Sequence, residues 1–301
     1  MTEISEIKQT THPVTPPNEL SEHTAGTSTN ILHLQRTVTD YMQRTKASFV
    51  EPYPEVYKVK LAQEKQLTRA YLKLVQGISR SLDLPNATWI YGFIGVDSIV
   101  PLAIKNKVCG IDQRGNLVDR GNYPLSWQAT GISYEDRRRS EPVYKALNRA
   151  IRNLEVYRAS ALDEEIYTRI REEHQGPIVF LCKGYSGRGN RDKDSEASLD
   201  LTESICSNFL QPGDAFIVLD DEDLRFVPVA QKAGFELLVN ESHPEGIEEG
   251  NKSRSIYVPC CYGAYYLYFP RAVAVLTKGP TENPRFFPGL SGLAVPNSSV
   301  D

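Results

Sequence analysis

Two short, uninterrupted apolar segments constrain the fold of this chain more than any other feature. Residues 178–182 and 215–219 read Ile-Val-Phe-Leu-Cys and Ala-Phe-Ile-Val-Leu, and each follows a turn that contains Gly and Pro. Continuous apolar runs of this length are typical of strands that are covered on both faces, as in a parallel sheet. A helical pattern at about 197–210 separates them. This alternation calls for right-handed crossovers and predicts an α/β fold.

The same alternation continues on both sides of this central pair. Residues 55–82 place apolar side chains at a spacing close to 3.6, which predicts a long amphipathic helix. Further strands are predicted at 87–91, 108–111, 235–239, 256–269 and 272–276, and further helices at 98–104, 135–173 (at least two) and 224–233. We therefore predict a Rossmann-like, mostly parallel, doubly wound sheet with an N-terminal helical extension and a C-terminal antiparallel edge.

Composition divides the chain into four segments. Residues 1–30 are rich in Thr, Ser, Pro and Glu and contain few large apolar side chains, which predicts a disordered tail. An N-terminal helical region is expected at 31–84 and the Rossmann-like domain at 85–279. Residues 280–301 are rich in Pro, Asn and Ser and are expected to be irregular.

Charge and hydropathy exclude several classes of partner. The 34 Lys and Arg residues nearly balance 38 Asp and Glu residues, so no strong field attracts nucleic acid or an anionic membrane. The sequence contains no apolar run of about 18 residues and no targeting pattern. We therefore expect a cytoplasmic protein without a nucleic-acid or membrane partner.

The cysteines predict reduced, buried thiols. There are five of them, at 109, 182, 206, 260 and 261, and they show neither a CxxC motif nor a Cys/His metal spacing. The adjacent pair Cys260 and Cys261 leaves a redox-active or reactive site open as the alternative.

Polar residues that directly follow predicted strands are the first candidates for a binding site. In a doubly wound sheet, ligands bind beyond the carboxyl ends of the strands, where the strand order reverses. Gly92 follows the first predicted strand, and Asp112 follows the second, about 20 residues later. At this spacing an acid can hydrogen-bond a ribose diol, so Asp112 predicts a nucleoside contact.

Two short segments of the sequence resemble motifs of the class I S-adenosylmethionine-dependent methyltransferases. Residues 210–221, LQPGDAFIVLDD, are similar to that family's turn into its fifth strand, and 233–236, AGFE, are similar to its approach to the sixth. The resemblance covers 89–278 and implies S-adenosylmethionine as cofactor and methyl transfer to a small-molecule oxygen or nitrogen acceptor. It implies catalytic or acceptor-side roles for Lys183, Tyr185 and Asp221, and cofactor contacts by Tyr91, Gly92, Gly95, Asp97, Asp112 and Gln113.

The predicted cofactor loop departs from the family's pattern. That loop usually begins with an acid and has one more glycine, whereas here Tyr91 occupies the acidic position and bulky side chains separate Gly92 from Gly95. Either the cofactor is held in a variant way, with Asp97 contacting the methionine amine, or the fold has lost the cofactor. We expect that it is retained.

Each candidate residue also has a purely structural interpretation. The glycines would serve a tight turn, and Asp97 would cap the following helix. Lys183 is a general base, a group that orients an acidic substrate, or an ordinary surface lysine. The acidic run 220–223 favours either a divalent cation or the start of a helix.

Other functions stay open on the same fold. One is a non-methylating enzyme, either cyclase-like or a magnesium-dependent hydrolase that uses the acidic run. Another is a binding or scaffold protein with a vestigial cofactor site, in which the Tyr-rich segment 262–268 contacts a partner. A homodimer through the long helix or the C-terminal aromatic strands is left open.

Overall fold

A computed structural model of the protein describes residues 19–50, 61–92, 94, 97–112, 151–183, 193–220, 224–243, 255–260 and 263–279. It contains a seven-stranded sheet and a separate two-stranded hairpin. The strands, in chain order, are β1 Thr88–Gly92, β2 Val108–Ile111, β3 Leu154–Tyr157, β4 Ile178–Lys183, β5 Ala215–Asp220, β6 Phe235–Ser242, β7 Ser255–Cys260, β8 Gly263–Tyr268 and β9 Ala272–Lys278.

The strand order of the large sheet is β3-β2-β1-β4-β5-β9-β6. Strands β1 to β5 pair in parallel, whereas β9 is antiparallel to both β5 and β6. The predicted Rossmann-like, mostly parallel sheet is confirmed, and its antiparallel pairing lies at the C-terminal end, where β9 is inserted between β5 and β6. Strands β7 and β8 form the separate hairpin.

Helices cover both faces of the sheet. They are α1 Glu19–Val50, α2 Leu61–Leu82, α3 Ile99–Ala103, α4 Glu164–Glu173, α5 Lys193–Ser204, which a π-helical turn Ile205–Phe209 continues, and α6 Phe226–Lys232. One hydrophobic core lies between the sheet and α1, α2 and α3, and a second lies between the sheet and α4, α5 and α6. Strand β4 contributes Leu181 to the first core and Phe180 to the second. Burial on both faces explains its uninterrupted apolar sequence.

The N-terminal helices belong to the same core as the sheet. Helix α1 begins at Glu19, inside the segment for which the sequence predicts a tail. The Tyr41 hydroxyl donates to the carbonyl oxygen of Pro270 at 2.8 Å, and Thr45 Oγ1 lies 2.9 Å from His243 Nε2. These bonds attach α1 to the β6 and β9 end of the sheet. No helix in the described ranges is both long and apolar enough to cross a membrane.

Strand β3 corrects the helical interpretation of residues 135–173. Its four residues alternate between the two faces of the sheet, and Tyr157 is the buried one. So short a segment has too little hydrophobic periodicity to distinguish a strand from a helix, and the charged residues around it are also typical of an exposed helix face. Pairing with β2 selects the strand, with Cys109 and Glu155 as register partners. Helix α4 confirms the later part of the prediction, and residues 113–150 lie outside the described ranges.

The strand order reverses between β1 and β4, because the chain adds β2 and β3 on one side of β1 and then continues with β4 and β5 on the other side. Gly92 at the carboxyl end of β1 is in register with Ile111 of β2 and Cys182 of β4. Beyond β1, the backbone N–H of Ile94 donates to the carbonyl oxygen of Ile111 at 3.2 Å. A Cβ on Gly110 would lie only 2.8 Å from Ile94 Cδ1. The glycine in β2 therefore lets this connection lie close against the sheet at the reversal.

Candidate functional site

Four polar side chains form a buried cluster at the point where the strand order reverses. Tyr71 comes from α2, Tyr91 from β1, Asp97 from the segment before α3, and Lys183 from the end of β4. Their exposed fractions are only 0%, 2%, 2% and 6%, respectively. We call this group the Asp97 cluster. It brings together three residues that the sequence predicts for the candidate site, namely Tyr91, Asp97 and Lys183, and one that it does not, Tyr71.

One carboxylate oxygen is the centre of the Asp97 cluster. Asp97 Oδ2 accepts hydrogen bonds from the Tyr71 hydroxyl at 2.8 Å, from the Tyr91 hydroxyl at 2.9 Å and from Lys183 Nζ at 2.6 Å. Lys183 Nζ also donates to the Tyr71 hydroxyl at 2.9 Å and lies 4.2 Å from the centre of the Tyr71 ring. The ammonium is thus held by a charge, a hydroxyl and an aromatic face.

The other oxygen of Asp97 caps α3. Asp97 Oδ1 accepts from the backbone N–H of Ile99 at 2.9 Å and of Val100 at 3.4 Å. The helix-cap interpretation of Asp97 is therefore confirmed. Both oxygens of this carboxylate accept hydrogen bonds from the protein, so Asp97 fixes the position of α3 and of the two tyrosine hydroxyls together.

The electrostatics of the Asp97 cluster follow from its burial. Burial raises the pKa of Tyr71 and Tyr91 well above the usual value for tyrosine, and the negative charge of Asp97 raises both further. Both hydroxyls therefore keep their protons and act as donors to Asp97. The remaining charges, one carboxylate and one ammonium, form a buried ion pair at 2.6 Å. The alternative that Lys183 is an ordinary surface lysine is wrong.

Asp112 lies at the same edge of the sheet, one strand away. It directly follows β2, is partly buried, and donates its backbone N–H to the carbonyl oxygen of Tyr157 at 3.0 Å. Since Gly92 and Ile111 are register partners, Asp112 follows the residue beside the end of β1. Gly92 itself is in extended backbone and has no positive φ, so a turn does not explain this glycine.

Four of the predicted site residues lie outside the described ranges. They are the cofactor-loop glycine, the neighbour of Asp112 and two acceptor-side residues, namely Gly95, Gln113, Tyr185 and Asp221. The same holds for the acidic run 221–223 and for the side chains of the Tyr-rich segment 262–268.

Tyr71 is the member of the cluster that the sequence does not reveal. It lies on the apolar face of a regular amphipathic helix, among Leu, Val and Ile side chains, where an aromatic ring is expected for packing. The one available signal is chemical, because a fully buried tyrosine hydroxyl needs a hydrogen-bond partner. The partners lie far away in sequence, and no local pattern identifies them.

A pocket of about 440 Å³ lies at the opposite, amino edge of the sheet. Asp214 lines it and has a structural role there, because its carboxylate accepts from Arg171 and from the backbone N–H groups of Ile178 and Gln211. This arrangement joins α4 to the starts of β4 and β5. We therefore assign the candidate site to the carboxyl edge, where Asp112 and the Asp97 cluster lie.

Comparison with known proteins gives likenesses of structure only. No protein-family model and no curated protein sequence matches the chain. Among solved structures, the chain is similar to magnesium protoporphyrin IX methyltransferase from Synechocystis PCC 6803 with bound S-adenosylmethionine, with 12% identity, a TM-score of 0.38, and 82% of this chain and 97% of that chain covered.

A second similar structure is the ribosomal protein L11 methylase from Lactobacillus delbrueckii subsp. bulgaricus. The identity is 13% and the TM-score is 0.32, with 77% of this chain and 92% of that chain covered. These two proteins act on acceptors of very different size, as their names state. Function therefore has to be argued from the residues of this chain.

Proposed function

We propose that this protein binds S-adenosylmethionine at the carboxyl edge of its sheet and transfers the methyl group to a small-molecule oxygen or nitrogen acceptor. One observation carries the proposal. Asp112 is a partly buried carboxylate that directly follows β2, beside the end of β1 at the reversal of strand order. In this architecture that position suits an acid that accepts hydrogen bonds from the two hydroxyls of a ribose.

The residues around Asp112 fit a nucleoside. Gly92 ends the neighbouring strand without a side chain, so a ligand bound beside the carboxylate would meet only its backbone there. Gln113 follows Asp112 and is proposed as a contact to the base, and Gly95 as part of the loop that the methionine portion crosses. When bound, S-adenosylmethionine supplies an electrophilic methyl group on a positively charged sulfur.

The Asp97 cluster explains how the chain accommodates a tyrosine at the position where the resembled family has an acid. The Tyr91 hydroxyl donates to Asp97, so a carboxylate lies one hydrogen bond beyond the tyrosine. Both oxygens of Asp97 already accept from the protein, and the residue is 2% exposed. We therefore propose that Asp97 and Tyr91 position the loop between β1 and α3 rather than contact the methionine amine directly.

The acceptor is proposed to bind beside the cofactor, over the ends of β4 and β5. Lys183 is in register with Leu219, so β4 and β5 end side by side, and the segments that follow them start from neighbouring points of the sheet. Tyr185 and Asp221 belong to those segments and are proposed to orient the acceptor or receive its proton. Lys183 is proposed as an orienting group, because its ammonium is paired with Asp97 at 2.6 Å.

The acceptor class is tested by transfer of a labelled methyl group. The full chain is incubated with methyl-labelled S-adenosylmethionine and a cell extract separated into low-mass and macromolecular fractions. Label is expected in the low-mass fraction and is expected to fall strongly with Asp112→Asn, which keeps the size of the side chain but removes its charge. Label in protein or RNA instead would contradict the small-molecule proposal.

A binding protein with a vestigial cofactor site is the second candidate. It is favoured by the Asp97 cluster, because protein donors already bond both carboxylate oxygens of Asp97 and leave the carboxylate no role in binding a cofactor. This candidate expects neither transfer of label nor binding of S-adenosylmethionine. The cytoplasmic location, the homodimer and the absence of a nucleic-acid partner stay predictions.

A further inference from the structure

Three potential metal ligands meet on the other face of the sheet. Cys109 lies in β2, Glu155 in β3, and His174 follows the last residue of α4. One ligand atom from each of them lies within 4.8 Å of the other two. These residues border the core under α4, whereas the Asp97 cluster belongs to the core under α1 and α2.

The backbone fixes this arrangement. Cys109 and Glu155 are register partners on adjacent parallel strands, so their side chains leave the same face of the sheet. His174 occupies the C-cap position of α4, and its backbone N–H donates to the carbonyl oxygen of Ile170 at 3.0 Å. The imidazole is held beside the sheet, with Nε2 3.8 Å from Glu155 Oε2.

The three side chains offer a combination of ligands that suits zinc. A thiolate, an imidazole and a carboxylate are the three side-chain types that bind Zn²⁺, at about 2.0–2.3 Å. In a tetrahedron with those bond lengths, ligand atoms lie roughly 3.3–3.8 Å apart. The three ligand atoms lie within 4.8 Å of one another, so small side-chain rotations suffice to bring them to the distances of a zinc tetrahedron. Three protein ligands leave the fourth position for a water molecule.

Two of the three ligands are accessible from solvent. The side chain of Glu155 is 45% exposed and that of His174 is 15% exposed, whereas Cys109 is fully buried. Lys107 Nζ pairs with Glu155 Oε2 at 2.6 Å, but both of these side chains are more than 40% exposed. Exposed pairs of this kind contribute little free energy, so a divalent cation can replace the ammonium.

We propose that Cys109, Glu155 and His174 bind one divalent cation of the zinc type. Binding transfers the thiol proton of Cys109 to solvent and joins the sulfur to the metal. The ion ties β2, β3 and the end of α4 together, so it stabilises the sheet edge that β3 forms. This site is independent of the proposed methyl transfer, since it lies on the opposite face from the Asp97 cluster.

Metal content and affinity test the proposal directly. The full chain is stripped with a chelator and dialysed against zinc chloride, and bound zinc is counted per chain. One zinc per chain is expected, and Cys109→Ala and His174→Ala should each weaken binding by at least about tenfold. Matched controls are Cys206→Ala, which removes a fully buried thiol in the π-helical turn after α5, and His33→Ala, which removes a histidine on α1.

Cobalt provides a spectroscopic readout. Co²⁺ bound to the wild type should show a thiolate-to-metal charge-transfer band that is absent in Cys109→Ala. If Cys109→Ala does not fold, His174→Ala decides, because the imidazole lies at a helix end and its loss leaves the strands intact.

Two results would overturn the proposal. One is a wild-type chain without stoichiometric zinc. The other is zinc binding that both variants retain and that a Cys260→Ser/Cys261→Ser double variant loses, which would assign the metal to the adjacent cysteine pair.

Discussion

Replacing Lys183 with methionine breaks the buried ion pair of the Asp97 cluster. The substitution keeps an unbranched side chain that is one atom shorter, and it leaves the Asp97 carboxylate, which is 2% exposed, without its ammonium partner. Removal of one partner of a buried pair typically costs about 3–5 kcal/mol, because the other charge remains buried and uncompensated. At roughly 2–4 °C per kcal/mol for a chain of this size, the melting temperature should fall by about 6–20 °C.

The double variant Asp97→Asn/Lys183→Met separates this electrostatic effect from a packing effect. It removes both charges, while the asparagine oxygen can still cap α3. Urea unfolding should therefore show the double variant to be more stable than Lys183→Met alone, a coupling that a double-mutant cycle measures. The matched control is Lys232→Met, because Lys232 pairs with Glu203 at 3.4 Å on the surface and its loss should change stability little. The reasoning is refuted if Lys183→Met unfolds at the same urea concentration as the wild type, or if the double variant is no better than the single one.

Three further perturbations test other parts of the structure. Burial, followed by the charges of Arg271 and Lys46, lowers the pKa of His243 to about 4, so its neutral form stabilises the fold above pH 6.5 and this contribution is lost as the pH falls toward 4. Urea unfolding at pH 7 and pH 5 should show the wild type losing about 1–2 kcal/mol more than His243→Gln. Gly110→Ala should cost about 1–3 kcal/mol in urea, because the new Cβ meets Ile94 at 2.8 Å. Tyr71→Phe should cost about 1–3 kcal/mol, since it removes a buried hydroxyl that is hydrogen-bonded to both members of the ion pair, Asp97 and Lys183.

Each of these three has its own control. His33→Gln replaces an exposed histidine and should leave the pH dependence unchanged. Ile94→Ala should relieve part of the destabilisation by Gly110→Ala, because it removes the atoms that the new Cβ meets. Tyr71→Phe should destabilise the protein less when Asp97 and Lys183 are already replaced, because the hydrogen bonds of its hydroxyl are then altered. The same loss of stability in both backgrounds would contradict the hydrogen bonds as its cause.

The central strands and the position of Asp112 could be predicted from the sequence because their signals are local. Strand β4 is buried on both faces, and its apolar run is continuous. Asp112 follows a strand directly, and the parallel arrangement of β1 and β2 determines which edge it occupies. Such features depend on a few consecutive residues and on the rules of sheet topology.

The contacts inside the candidate site could not be predicted, because they join residues that are distant in sequence. Lys183 is 86 positions from Asp97 and 112 from Tyr71 in the sequence. A lysine that follows an apolar strand is equally compatible with an exposed surface position and with a buried site. Only the packing of α2 and α3 on the sheet makes it buried and paired. Strand β3 could not be predicted for a related reason, since its pairing with β2, not its own sequence, determines its structure.

Calorimetric titration with S-adenosylhomocysteine, the demethylated product, tests the central claim most directly. The wild type should bind it with micromolar affinity. Asp112→Ala should weaken binding by about 10- to 100-fold, the effect of losing about 1.5–3 kcal/mol of charge-assisted hydrogen bonding. Asp200→Ala, at an exposed aspartate on α5, should bind like the wild type. No binding by the wild type, or undiminished binding by Asp112→Ala, would contradict the assignment of the cofactor to this edge of the sheet.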